Sequence, residues 1–425
     1  MTVLLFTGVL LGTMALGLPI AFALLVTSGA LMWQLGAFDW QLVALQMVNG
    51  ADSFPLLAVP FFLLAGEAMN AGGLSRRLVQ FALSLVGHLR GGLGYVAVIA
   101  AILLASLSGS AVADTAALAA MLLPIMRSSG YDVPRSAGLI AAGGIIAPVI
   151  PPSIGYIVFG VAGGVSISRL FLAGIVPGLM MGVALAAAWW LVSRKSDLAV
   201  MPRRTWREAA RSMVDATFAL VLPIIIIGGL KAGVFTPTEA AVVAAVYAIA
   251  IGMFVYRELT LPALYRCFIS AIHTSAAVMF LVAAASASAY LIAIASIPQD
   301  VAAMLAPLKD NQTLLMVAIM ILVVIVGTAL DFIPTILILT PVLMPLVKSA
   351  GIDPVYFGVL FIMNNAIGLI TPPVGTVLNI VSAVGKVELG AVIRGVSPFL
   401  VAQLIVLALL TLFPALVLVP ARWLY

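Results

Sequence analysis

The chain has 425 residues, of which 64% are hydrophobic and only 8% are charged, and its net charge is +5. A soluble domain carries about a quarter charged residues, so this composition excludes a soluble protein and predicts one that crosses a membrane many times. The apolar runs lack the short alternating pattern of a β-barrel. The basic residues do not indicate nucleic-acid binding, because six of them lie in one segment typical of a cytoplasmic loop: Arg194, Lys195, Arg203, Arg204, Arg207 and Arg211.

Long apolar segments follow one another along the chain and predict an all-α polytopic membrane fold. Two stretches, 92–127 and 313–347, carry a polar break near the middle. Two amphipathic segments, 75–90 and 297–311, have the pattern of helices that lie along a membrane interface. The remaining spans are predicted at 2–33, 53–73, 135–163, 167–192, 214–232, 239–256, 273–296, 355–384 and 396–420.

The two halves of the chain are repeats. A shift of 221 residues aligns "LLPIMRSSGYD" (122–132) with "LMPLVKSAGID" (343–353), and it superimposes four pairs of prolines where chance gives about one. Counted outward from the basic cytoplasmic loop, equivalent segments run in opposite directions, so the repeat is predicted to be inverted. Inverted repeats with interrupted membrane helices are typical of secondary transporters.

Each repeat contains two polar breaks within apolar stretches. "SLSGSAVAD" (106–114) pairs with "GTALDFIPT" (327–335), and each repeat also has a Pro-Pro pair, Pro151–Pro152 or Pro372–Pro373. Proline removes a backbone donor, and the carbonyls it frees must line protein or a water-filled cavity. Carbonyls and hydroxyls together suit Na⁺, and helix N-termini suit an anionic group. We expect one cation site between Ser106–Ser110 and Ala147–Ser153, and a second between Gly327–Asp331 and Gly368–Thr376.

Several polar residues at membrane depth have two interpretations. Asp114 and Asp331 either take part in function or cap a half-helix, and both interpretations stay open. For Asn364 and Asn365, contact with substrate or with the cation shell is favoured over interhelical hydrogen bonding. For Glu67, contact with a partner helix or an interfacial position is favoured over a role in transport.

Five motifs give the chain a family resemblance: "SLSGSAVADTAA" (106–117), "GGIIAPVIPPSIG" (143–155), "FTPTEAA" (235–241), "ILTPVLMPLVKSAGIDP" (338–354) and "GLITPPVG" (368–375). With these motifs the chain resembles the large membrane subunit of tripartite ATP-independent periplasmic (TRAP) transporters, the DctM-like family. The resemblance implies a sodium-driven importer of organic acids in the bacterial inner membrane, and no enzymatic activity. It also implies an elevator-type transport domain on a scaffold, a small four-helix membrane subunit and a periplasmic substrate-binding protein.

The resemblance also implies ligands, because the family's sodium sites use hairpin serines, carbonyls at the Pro-Pro breaks and a Gly/Gly/Thr set. Which of the three hairpin serines ligate Na⁺ stays open. The residues expected to bind Na⁺ are Ser106, Ser108, Ser110, Ala147, Ile150, Pro152, Gly327, Gly368 and Thr371. The residues expected to bind the carboxylate substrate are Asp331, Asn364, Asn365, Thr376 and Ser153.

The predicted organisation divides the chain into five parts. In the first repeat, residues 1–90 are the scaffold helices and the amphipathic arm, and residues 91–192 are the transport hairpin, the broken helix and the helix that follows it. Residues 193–232 are the basic loop and the linking helix. In the second repeat, residues 233–311 are the scaffold helices and the arm, and residues 312–425 are the hairpin, the broken helix and the last helix.

Three alternative functions remain for comparison. The nearest is a stand-alone sodium–carboxylate symporter. An intramembrane aspartyl protease is disfavoured, because Asp114 and Asp331 lack the sequence contexts of such enzymes. A channel would not need two inequivalent, oppositely oriented gates.

Overall fold

A computed structural model describes residues 2–36, 38–194, 198, 200–203, 205–304 and 311–424. Within these ranges every regular element is a helix. Two of the basic loop residues, Lys195 and Arg204, lie outside the described residues, as does the end of the predicted amphipathic segment, 305–310. The first repeat contains α1 (Thr2–Ala15), α2 (Ile20–Leu35), α3 (Trp40–Ala51), α4 (Ala58–Ala71), α5 (Leu74–Val86), α6 (Gly92–Ser108), α7 (Ala111–Ser128), α8 (Val133–Gly144), α9 (Ile154–Gly163) and α10 (Ile167–Ser193).

The second repeat also contains long helices, then a hairpin, a broken helix and a further long helix. Its first long helix, α11, follows the basic loop and begins with a capping box in which the Thr205 and Glu208 side chains satisfy each other's backbone N–H groups. The helices are α11 (Trp206–Lys231), α12 (Pro237–Ala250), α13 (Leu261–Ile294), α14 (Ile297–Met304), α15 (Gln312–Ala329), α16 (Phe332–Ser349), α17 (Pro354–Gly368), α18 (Thr376–Gly385), α19 (Leu389–Leu412) and α20 (Ala415–Leu424).

The chain is a multi-pass membrane protein. Nine helical segments in the described part of the chain are long and apolar enough to cross a membrane. The longest, α13, has 34 residues, which at about 1.5 Å per residue makes it roughly 50 Å long. It packs against α2, α3, α4 and α16. We refer to α2, α3, α4, α12 and α13, which pack on one another, as the scaffold.

Two predicted spans are wrong. Segment 2–33 folds as an antiparallel pair, α1 and α2, and the Gln34 amide donates to the Thr2 hydroxyl at 3.3 Å where the two ends meet. The turn between them contains Gly17 at φ +85° and Pro19, which disrupts helical hydrogen bonding. Segment 396–420 is likewise divided, between α19 and α20, just before Pro414.

Both re-entrant hairpins are confirmed. Helices α6 and α7 meet at Gly109 and Ser110, and at the open end of the hairpin the Leu93 amide donates to the Tyr131 hydroxyl. Helices α15 and α16 form the equivalent hairpin. At its open end the Gln312 side-chain amide donates a 2.9 Å hydrogen bond to the Ala350 carbonyl. We call residues 106–114 the first tip and residues 327–335 the second tip.

Both predicted helix breaks are also present, and the repeats interlock around them. The first break separates α8 from α9, the second separates α17 from α18, and both Pro-Pro bonds are cis. Helix α7 packs on α18, and its counterpart α16 packs on α9. Helices α8 and α17 pack on α19 and α10 in the same reciprocal way. The fold is therefore an inverted-repeat architecture in which each hairpin contacts the other repeat's broken helix.

The amphipathic arm α5 links the scaffold side to the first hairpin. It packs against α11 and α6. At its start, Arg76 and Arg77 pair with Glu258 at 2.7 and 2.8 Å, and the Arg77 guanidinium lies 3.6 Å from the centre of the Tyr256 ring. Burial raises the pKa of Tyr256 to about 12, although the positive charge of Arg77 opposes that rise.

Candidate substrate and cation sites

A cavity of about 350 Å³ lies between the scaffold and the two hairpin tips. This volume is within the usual range for small-molecule sites. Its walls come from α4 and α13 on one side, and from both tips and the break residues Pro148, Ile154 and Leu369 on the other. The polar lining residues are Glu67, Asn70, Ser108, Ser110, Thr274 and Asp331.

The charge of this lining has one sign. Glu67 and Asp331 are acidic, and none of the described lining residues is Lys, Arg or His. Within the described ranges, an anion in the cavity therefore has no cationic side chain to contact. The positive partners that remain are the N-termini of α7 and α16, which open at the tips, and any bound cation.

The first tip lies directly against the first break. Gly109 adopts φ +61°, and a Cβ added to it would lie 2.2 Å from the Pro152 carbonyl oxygen. Ser110 caps α7, because its hydroxyl accepts from the Ala113 amide at 3.3 Å. The structure thus brings together Ser108–Ser110 and Pro152, two parts of the predicted first cation site.

The three tip serines differ in their partners. The Ser106 hydroxyl donates to the Leu103 carbonyl of its own helix at 2.7 Å. Ser108 donates to the buried Asp114 carboxylate, whose other oxygen has no hydrogen-bond partner among the described residues. Since Ser110 supplies the cap, the capping interpretation of Asp114 is wrong.

At the first break, Ser153 turns its hydroxyl towards its own backbone. It donates to the Pro148 carbonyl at 2.6 Å and accepts from the Tyr156 amide at 3.4 Å, which caps α9. Ser153 is fully buried, and Ala147 exposes only 1% of its surface. Pro148 and Ile154 line the cavity, whereas Ser153, expected to bind substrate, does not.

Residues of the second predicted cation site also lie close together. A Cβ added to Gly368 would lie only 2.8 Å from the Gly327 carbonyl oxygen. The Asn365 side-chain oxygen faces Gly327 and is buried without a hydrogen-bond partner in the described part of the chain. Thr371 stands one turn on and donates to the Ile367 carbonyl at 2.8 Å. Its lone pairs, the Gly327 carbonyl and the Asn365 oxygen are hard ligands of the kind that replace a hydration shell.

Asp331 caps the second tip and connects it to the far side of the break. Its carboxylate accepts from the Phe332 amide at 2.9 Å and from the Thr376 hydroxyl at 3.3 Å. Asp331 is exposed in the cavity, so capping and ligand contact are compatible there. The binding role of Thr376 stays a prediction.

The two asparagines of α17 hold the second hairpin. Asn364 donates to the Met320 carbonyl and Asn365 to the Phe332 carbonyl, each at 2.7 Å. Both side chains are buried and neither lines the cavity. The interhelical hydrogen bonds of the less-favoured interpretation are therefore present, and substrate contact by either residue stays a prediction.

Sequence reasoning missed the scaffold wall of the cavity. The expected partner-helix contact of Glu67 is present, since Ser270 of α13 donates to its carboxylate at 2.7 Å. The same side chain also lines the cavity, together with Asn70 one turn later. The three-residue spacing of a carboxylate and an amide on one face of an apolar helix is the signal that could have identified this wall.

Comparisons with known proteins agree across the whole chain. Residues 7–416 match the family described as the DctM component of the tripartite ATP-independent periplasmic transporter. The chain is 55% identical over 423 residues, all of both chains, to the 2,3-diketo-L-gulonate TRAP transporter large permease protein YiaN of Escherichia coli. It is 39% identical to the sialic acid large permease SiaM of Vibrio cholerae over 404 residues, 95% of each chain.

Another relative is the C4-dicarboxylate large permease DctM of Pseudomonas aeruginosa, at 39% identity over 90% of each chain. A solved structure, the Alcanivorax borkumensis YdaH transporter with its unusual topology, superimposes with a TM-score of 0.65 at 16% identity, covering 88% of this chain and 87% of that one. That likeness concerns the fold alone.

Proposed function

The chain belongs to the DctM family of TRAP transporters and is a permease subunit rather than an enzyme, and on that premise we propose that it imports a sugar acid driven by a sodium gradient. The 55% identity to a 2,3-diketo-L-gulonate permease supports this substrate class. Sialic acid and C4-dicarboxylates, named for more distant relatives, are the other organic acids to test.

The charge of the cavity is the observation that carries the coupling proposal. A carboxylate substrate entering a space lined by Glu67 and Asp331 meets like charge and no basic side chain among the described lining residues. Bound Na⁺ at the two tips would supply the missing positive charge beside the N-termini of α7 and α16. Binding of acid and cation then becomes mutually dependent, which is the thermodynamic basis of symport.

The residues at the tips fit Na⁺ as a ligand set. At the second site the Gly327 carbonyl, the Thr371 hydroxyl and the unpartnered Asn365 oxygen would hold the ion. At the first site, Ser108 and Ser110 of the tip and the Pro152 carbonyl of the break would do so. Each site joins a tip to a break, so a bound ion would stiffen both.

An elevator movement is the proposed transport step. The cavity has one wall on the scaffold and the other on the interlocked hairpins and broken helices. At the contact between these walls, α4 presents Gly66, and a Cβ there would lie 3.4 Å from the Ser108 Cβ. A small residue at this position leaves a smooth surface over which the first tip could slide.

The proposed working assembly includes a small membrane subunit and a periplasmic binding protein in the bacterial inner membrane. The permease and small subunit would be reconstituted in proteoliposomes with an inward Na⁺ gradient, the binding protein and radiolabelled 2,3-diketo-L-gulonate. We expect uptake that needs both the gradient and the binding protein. Uptake that ignores the gradient contradicts sodium coupling, and uptake without the binding protein favours the stand-alone symporter.

A further inference from the structure

Glu67 is the one charged side chain that the scaffold contributes to the described cavity lining. It follows Gly66, the residue of α4 that lies against Ser108 of the first tip. The Ser270 hydroxyl of α13 donates to its carboxylate at 2.7 Å. Glu67 is thus held at the place where the moving and stationary walls of the proposed elevator meet.

The position of Glu67 distinguishes it from the other acidic lining residue. Asp331 belongs to the second tip, where it caps α16 and accepts from Thr376, so it would travel with the substrate. Glu67 belongs to α4, which packs on α12 and α13 and would stay in place. An anionic substrate therefore approaches Glu67 in this conformation and leaves it behind when the tips move away.

We propose that Glu67 is a release residue, whose negative charge weakens the binding of the anionic substrate in this conformation and so speeds its departure. This rests on the proposed transport of an organic anion by movement of the tips against the scaffold. Like charges facing each other across a binding site oppose association, and no lining residue in the described part of the chain is basic and able to cancel the effect.

Glu67→Gln tests the proposal, because it keeps the shape of the side chain and removes its charge. The permease and small subunit in nanodiscs would be titrated with 2,3-diketo-L-gulonate at saturating Na⁺. We expect Glu67→Gln to bind about tenfold more tightly, which corresponds to about 1.4 kcal/mol. In proteoliposomes, both kcat and KM for uptake should fall, because the bound acid leaves more slowly.

The direction of the change separates this role from a structural one. A damaged cavity binds its substrate more weakly, whereas removal of a repelling charge makes binding tighter. Glu67→Asp retains the charge and serves as the control, with an affinity expected within about twofold of wild type.

The possible failures are distinguishable. Unchanged or weaker binding by Glu67→Gln, with normal sodium-driven uptake by the wild type, overturns the release role and leaves the proposed function intact. A wild type that neither binds nor transports the acid overturns the proposed substrate, and the release role with it. Equal tightening in Glu67→Asp would also overturn the release role, because that variant keeps the charge.

Discussion

Replacement of Gly368 by alanine is expected to disable the second cation site without altering any ligand type. The backbone carbonyls of the site all remain. A Cβ on Gly368 would lie 2.8 Å from the Gly327 oxygen and 3.0 Å from its carbonyl carbon. Gly368 ends α17 in a conformation that alanine tolerates, so the backbone itself is not strained. In a helix, alanine in place of glycine normally stabilises by about 0.5–1 kcal/mol.

The magnitude follows from the clash. To reach an ordinary contact of 3.4 Å from 2.8 Å, the Gly327 carbonyl must move by about 0.6 Å. Both contacting atoms belong to backbone, so no side chain can rotate away. Ligand distances at metal sites are held to within about 0.2 Å, so we expect the Na⁺ concentration for half-maximal uptake to rise at least about tenfold.

Gly327→Ala is the matched control. Its Cβ would lie 3.4 Å from the Asn365 oxygen and 3.7 Å from the Gly368 Cα, which are ordinary contacts. Both variants add one methyl group to the same site, one on each side. The assay is Na⁺ activation of substrate uptake in proteoliposomes, with the thermal unfolding midpoint of each purified variant measured in parallel.

Three results would refute this reasoning. If Gly368→Ala keeps wild-type Na⁺ activation, the close approach of Gly327 to Gly368 is not part of a cation site. If Gly327→Ala is as damaging as Gly368→Ala, the loss does not come from the predicted clash. A low unfolding midpoint in Gly368→Ala alone would indicate that the approach serves packing instead of ion binding.

Further substitutions test the first tip, the second break and the arm. Ser108→Ala removes a partner of the buried Asp114 and should lower the unfolding free energy by about 1–3 kcal/mol. Ser106→Ala should lower it by less than about 1 kcal/mol. Chemical denaturation of the two purified variants measures both changes. Thr371→Ala should raise the Na⁺ concentration for half-maximal uptake several-fold. Thr371→Ser keeps a hydroxyl and should leave that concentration near the wild-type value in the same uptake assay. Glu258→Gln breaks two ion pairs to α5, one to the exposed Arg76 and one to the partly buried Arg77. At about 1 kcal/mol or less for each pair, the unfolding free energy should fall by less than about 2 kcal/mol.

Much of the architecture follows from local features that are visible in the sequence. The repeat, the Pro-Pro breaks and the glycine-containing tips are all visible because proline and glycine act on the backbone at their own positions. The family assignment, carried by these same motifs, is confirmed over residues 7–416. Two further segments, "VNGADSF" (48–54) and "AGEAMNAGGLS" (65–75), resemble those of 2,3-diketo-L-gulonate large permeases, and the 55% identity to such a permease over the whole chain confirms that similarity.

The hydropathy pattern gave a wrong prediction for an apolar segment that can either cross the membrane once or fold back as a pair of helices. Segment 2–33 is apolar enough for one tilted span, yet the turn before Pro19 folds it into a pair. Length and composition are the same in both cases, so only the packing of α1 against α2 decides between them.

The sequence by itself determined the class of protein, the inverted repeat and the four polar breaks, because membrane solvation and backbone chemistry act residue by residue. Only the tertiary structure decided which polar groups meet. It placed Gly327 against Gly368 across two helices, and it made Ser110 the cap of α7, a role for which Asp114 was an equal candidate by sequence. It also turned Glu67 into the cavity from a distant scaffold helix. Such meetings depend on helix rotation and crossing, and those are set by packing between segments far apart in the chain.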